Sequence, residues 1–131
     1  MKKSILNQCI KNSLKFNTEE KHPQFDCYKH YSYIIQNNSI IEWGVNRAGP
    51  PPNCYKPHQK IHSEYVAYCK ARGLLNKQKS FDLINIRLNK LGEFRLSKPC
   101  SCCFNFLQSM GCRNVYFSTG VNNAFAKMSL I

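Results

Sequence analysis

A chain of 131 residues has the length of one domain, and 43% hydrophobic with 12% aromatic residues excludes a disordered polymer. Lysine and arginine number 19 against 7 acidic residues, so a net charge of +12 points toward an anionic partner, although the charges are scattered and form no single run. No apolar run approaches the roughly 20 residues of a membrane-crossing helix, and Met1 to Cys9 lacks the apolar stretch of a secretory leader. The chain is therefore expected to be intracellular (cytoplasmic or nuclear), not secreted, with no membrane partner. Its eight cysteines are expected to be reduced, some in metal binding and the rest as small core residues.

In chain order, Ser4 to Phe16 place Ile5, Leu6, Cys9, Ile10 and Leu14 at helical spacing. Residues 17–29 are polar, contain Pro23, and read as a loop. Tyr31, Tyr33 and Ile35 then alternate with their neighbours, Gln36 to Ser39 form a turn, and Ile40, Ile41, Trp43 and Val45 complete a β-hairpin. Pro50, Pro51 and Pro52 forbid a helix and stiffen the loop that follows. A helix is expected from His62 to Leu75, ending near Gly73, with Val66, Ala67 and Cys69 toward a core. Phe81 to Leu88 is a strand rich in branched residues, Asn89 to Gly92 a turn, and Phe94 to Ser97 irregular or a short strand. Pro99 suits the first position of a helix that Phe104, Phe106, Leu107 and Met110 pack down as far as Gly111. Asn114 to Ser118 and Ala124 to Leu130 are the last strands, joined by a short turn. Too few residues separate them for a crossover helix, so they are expected to be antiparallel. The alternation of helices and strands implies one α/β domain over residues 1–131, a mixed sheet covered by helices.

Two short segments carry the chemistry. His62 is followed two positions later by Glu64, and Pro99 leads Cys100-Ser101-Cys102-Cys103. Each is common by itself. In this order they make the His-x-Glu and Pro-Cys-x-x-Cys halves of zinc-dependent base deaminases. One imidazole and two thiolates leave a tetrahedral zinc one position for water, which separates a catalytic site from a closed structural one. A ligand pair of Cys102 and Cys103 is an alternative that would break the Cys-x-x-Cys spacing, and Cys102 is expected to point away. Cys9, Cys27, Cys54, Cys69 and Cys112 are expected to be buried thiols, and His22, His30 and His58 are given no role.

On these motifs, together with Gly44-Val45-Asn46-Arg47 after the hairpin, the chain resembles the cytidine deaminase superfamily. The resemblance implies a three-layer cytidine-deaminase-like fold: a five-stranded mixed sheet, about three helices, and the last two strands antiparallel. It implies one zinc ion held by His62, Cys100 and Cys103, with Glu64 as the catalytic proton carrier. It further implies substrate contacts at Asn46 and from the backbone near Ser63 and Lys98, while either Tyr55 or Phe104 is available to stack on a base. The antiparallel ending resembles the branch holding nucleoside cytidine deaminases and several polynucleotide-modifying toxins.

Three functions follow. The favoured one is hydrolytic conversion of cytosine to uracil within single-stranded nucleic acid, because +12 and basic residues near the motifs (Arg47, Lys56, Lys60, Arg95, Lys98) suit phosphate contacts. The second is a free cytidine or deoxycytidylate deaminase of nucleoside or nucleotide salvage. The third is a non-catalytic, zinc-stabilised module that binds nucleic acid, against which Glu64 argues, since a structural site has no use for a proton carrier. Partners are thus cytosine-containing nucleic acid or nucleotide, and a homo-oligomer stays open as the assembly state.

Overall fold

The computed structural model describes residues 1–19, 28–46 and 62–130. Its elements are α1 (Lys3–Glu19), β1 (Tyr28–Gln36), β2 (Ser39–Val45), α2 (Ser63–Ala71), β3 (Phe81–Asn89), β4 (Phe94–Arg95), α3 (Ser101–Ser109), β5 (Cys112–Ser118) and β6 (Phe125–Ser129). The strands form one mixed sheet in the order β2-β1-β3-β5-β6, with the two-residue β4 paired to β3 outside that path. Among the described strands, β3 and β5 are the one parallel pair, joined by the crossover through α3, and β5 and β6 are antiparallel as the short connection requires.

The pleat divides the core in two. Tyr31, Tyr33, Ile35, Ile84, Ile86 and Leu88 pack with Ile5 and Cys9 of α1 on one face. Ile34, Leu83, Val115 and Phe117 pack with Ala67, Ala71 and Leu107 of α2 and α3 on the other. The result is three layers: one helix, the sheet, and two helices. The β1–β2 turn is tight because Asn37 and Asn38 both accept positive φ (53° and 57°), which matches the twist of a two-residue hairpin. Among the described residues, no helix is long and apolar enough to cross a membrane.

Several sequence expectations shift. The first helix runs on to Glu19, because the face it buries continues through Ser13 and Asn17. Neither is apolar, yet both are satisfied: Ser13 Oγ lies 2.7 Å from the Tyr33 hydroxyl, and the Tyr31 hydroxyl donates to Asn17 Oδ1 at 2.9 Å. Leu14, expected to be inward, is exposed. The second helix stops at Ala71 instead of Leu75, and turn bonds from Leu74 and Leu75 N–H to Ala71 O replace its last helical bonds. Cys69 is only half-buried there. Met110 caps the third helix and is exposed instead of packed. Pro50 to Pro52, Arg47, Tyr55, Lys56, Lys60, His22, His58, Cys27 and Cys54 lie outside the described residues.

Candidate active site

The helices α2 and α3 bring their N-terminal ends together. His62 is the N-cap of α2, with extended backbone (φ −71°, ψ 148°), and Cys100 is the N-cap of α3 in a similar conformation (φ −68°, ψ 166°). Neither uses its side chain to cap its own helix, and the two side chains meet across the gap. His62 Nδ1 lies 3.2 Å from Cys103 Sγ and 3.6 Å from Cys100 Sγ. All three donor atoms fall within 4.8 Å of one another. A tetrahedral zinc with arms of about 2.3 Å to sulfur and 2.0–2.1 Å to nitrogen separates its ligand atoms by about 3.6–3.8 Å. The cluster therefore fits such an ion in both donor chemistry and size. Cys103 is buried and Cys100 exposed, so the cluster spans from the core to the surface. Cys102 is exposed and stands outside the cluster.

The segment before Cys100 is stitched to the sheet. Ser97 N–H donates to Ser118 O at 2.9 Å, Ser97 Oγ donates to Asn85 O at 2.8 Å, and Ser118 N–H donates back to Ser97 Oγ at 2.8 Å. Lys98, immediately after, is exposed beside the cluster, and Pro99 is buried.

Glu64, in the first turn of α2, is 5% exposed. Its carboxylate is held at both oxygens. Ser63 Oγ donates to Oε1 at 3.2 Å, and Asn85 Nδ2 donates to Oε2 at 3.1 Å. Ser63 Oγ also lies 2.7 Å from Ser32 Oγ, whose hydroxyl donates to Asn85 Oδ1 at 2.5 Å. Ser32 and Asn85 are opposed across the β1–β3 ladder, one pair along from Tyr33 and Ile84. Sequence reasoning passed over both. The available signal was a polar residue inside the apolar run Leu83-Ile84-Asn85-Ile86, where a buried amide needs partners.

Asn46 continues the hairpin beyond β2. Its N–H donates to His30 O at 3.2 Å, and its Oδ1 accepts from His30 N–H at 2.9 Å. The structure thus joins His62, Cys100 and Cys103 into one cluster, with Glu64 and Ser63 in the adjoining helical turn. Asn46 is fixed at the end of the hairpin, and Lys98 stands on the surface.

Among the described residues, two buried thiols lie outside the site. Burial pushes Cys9 and Cys112 up to about 12, Cys112 further raised by the nearby Asp82 charge. Both pack in the core, outside the group formed by His62, Cys100 and Cys103.

No protein-family model matches the chain, and no curated protein matches it significantly in sequence. Solved structures do share its fold. A dCMP deaminase from the cyanophage S-TIM5 superposes with a TM-score of 0.61 at 19% identity, covering 93% of this chain and 90% of that one. A second structure of that enzyme is a complex with dCMP and dUMP. Cytidine deaminase from Burkholderia pseudomallei gives a TM-score of 0.65 at 14% identity, covering 99% and 94%. Cytidine deaminase from Mycobacterium tuberculosis gives 0.60 at 11% identity, covering 95% and 89%. The three-layer fold is that of the cytidine and dCMP deaminases.

Proposed function

We propose that this protein is a zinc-dependent hydrolytic deaminase that converts cytosine to uracil in a free nucleotide or nucleoside. The observation that carries it is the meeting of two helix ends: three metal-binding donors beside a buried carboxylate held at both oxygens. His62, Cys100 and Cys103 would hold one zinc ion, which would supply a water activated at neutral pH. Glu64 is not needed as a ligand and stays available for protons. It accepts the proton of the attacking water at a carboxylate oxygen and delivers it to the ring nitrogen. The proton of the hydroxyl now on the ring carbon then passes through the same carboxylate to the exocyclic amine, which leaves as ammonia as that carbon becomes a carbonyl. Water is consumed and ammonia released, so the reaction balances without an oxidant. Ser63 and Asn85 keep the carboxylate aimed through these transfers. Asn46 and the backbone at Ser63 and Lys98 line the base pocket.

Enzymes of free nucleotides and nucleosides account for nearly the whole chain, and the cyanophage enzyme was solved with dCMP and dUMP. A second reading, cytosine within single-stranded nucleic acid, is favoured by the net charge of +12. A non-catalytic zinc module fits poorly with a carboxylate that is buried and held in place beside the donors.

The test incubates the purified protein with cytidine, CMP, dCMP and single-stranded oligonucleotides side by side, reading uracil and ammonia. Product from the monomers alone is expected. Product from oligonucleotides alone moves the substrate to the polymer. Glu64→Gln should keep the metal and lose at least 1,000-fold in turnover, within the usual worth of acid–base catalysis at about 10²–10⁴-fold plus the loss of a proton store. Full turnover in that variant removes the mechanism.

A further inference from the structure

We infer that Asn85 is a positioning residue that aims the Glu64 carboxylate and ties it to the cysteine segment, a proposal that rests on the deaminase reading above. Asn85 lies in the middle of β3 and is 3% exposed, where a branched apolar residue would suit the strand better. An amide there is tolerated only if its hydrogen-bonding groups are met. They are met in a way that forces its orientation. Oδ1 faces the Ser32 hydroxyl at 2.5 Å. The two Nδ2 hydrogens face two acceptors, Glu64 Oε2 and Ser97 O, each at 3.1 Å. Turning the amide over would set its oxygen against a carboxylate and a carbonyl, so the network itself assigns the nitrogen.

The two acceptors belong to different halves of the site. Glu64 sits in the turn that begins at His62, and Ser97 opens the stretch that leads through Lys98 and Pro99 to Cys100. One amide therefore references both halves to the same point on a central strand. The carboxylate of a glutamate has three side-chain torsions to fix. Asn85 donates to Oε2 and Ser63 to Oε1. Ser32 donates to Asn85 Oδ1, and its oxygen lies 2.7 Å from Ser63 Oγ. The role calls for asparagine. Aspartate has the same shape but faces Glu64 with a second carboxylate, and serine is too short to reach.

The experiment compares Asn85→Asp, Asn85→Ser and Asn17→Asp as zinc-loaded full-length proteins. Asn17 is a buried asparagine at the far helix, bonded to Tyr31 and Asn89, and serves as the control for loss of a buried amide. Both Asn85 variants should keep about one zinc per chain and hold KM within about threefold. Their kcat should fall about 100-fold, the scale expected of a misplaced reacting group. Asn17→Asp should lose comparable thermal stability with kcat within twofold. Thermal melts supply a readout that needs no activity. In Asn85→Asp combined with Glu64→Gln, the new amide can donate to the new carboxylate, so the double variant should melt higher than the two single losses sum to. An active wild type whose Asn85 variants turn over within threefold of it overturns this proposal alone, as does strict additivity in the melts. A wild-type chain that deaminates no cytosine substrate overturns the functional reading and this proposal together.

Discussion

Cys102 and Cys100 are both exposed thiols within three positions of each other, yet their expected roles are opposite. The difference lies in helical geometry. Cys100 is the N-cap, so its side chain leaves the helix axis toward His62, while Cys102 sits inside the first turn, rotated away from Cys103. Cys100→Ser should therefore lower zinc affinity by at least tenfold, since a serine hydroxyl is a poor replacement for a thiolate. Cys102→Ser should leave about one zinc per chain. Metal content after dialysis against a graded chelator series measures both. Loss of zinc from the Cys102 variant with retention in the Cys100 variant would reverse the ligand assignment. The spacing of the cysteines was legible because the two thiols belong to one short segment. Asn85 was not, because its meaning depends on Ser32, 53 residues away in sequence and directly opposite in the ladder. Local pattern shows a polar residue in a strand; only the register shows what it touches.

At the scale of elements, β2 and α2 approach more closely than side chains usually permit. A Cβ on Gly44 would lie 2.6 Å from the backbone nitrogen of Ala67 and 2.8 Å from Val66 Cγ1. The absent side chain lets the helix settle against the hairpin, and Lys70 closes the same contact by donating to Trp43 O at 2.9 Å and sitting 3.5 Å from Glu42. Gly44→Ala must push α2 outward, because a backbone atom cannot rotate away. The expected loss is about 1–3 kcal/mol, which for a domain of this size lowers Tm by roughly 5–15 °C. Activity should fall with it, since the shift displaces the turn bearing His62 and Glu64. A thermal melt unchanged by this substitution would show that the helix is held elsewhere. The hairpin and the apolar strands were readable from period alone, because β-branched and aromatic residues alternate there. The buried face of α1 was harder to read. It mixes Ile5 and Cys9 with Ser13 and Asn17, whose burial depends on tyrosine hydroxyls from β1. The ends of α2 and α3 moved for a related reason: capping depends on which residue the fold turns outward, and propensity alone does not specify that.

For the whole molecule, among the described residues each face of the sheet holds a buried thiol outside the site, Cys9 under α1 and Cys112 beneath α3. Burial raises both from 9.0 to about 12, so each is neutral in the folded protein where it would ionise in the unfolded chain. The sign follows from proton counting. Above pH 9 the unfolded state has released these protons and the folded state has not, so the unfolded state is favoured as pH rises. The stabilising contribution is full below pH 9 and is lost progressively between about 9 and about 12. Between pH 9 and pH 10 each thiol should remove about 1 kcal/mol from the unfolding free energy. Tyr33, also pushed up to about 12 by burial, joins from its ordinary value of 10.0 upward, so the lower part of the window belongs to the thiols. Urea midpoints measured from pH 7 to pH 10 should therefore fall for the wild type. In a Cys9→Ala and Cys112→Ala double variant they should start lower, from the lost packing, but decline less steeply above pH 9. Comparing the two slopes cancels the titration of the surface lysines, which both proteins share. Parallel slopes would mean that the thiols ionise in the folded state, and hence that water reaches both faces of the sheet.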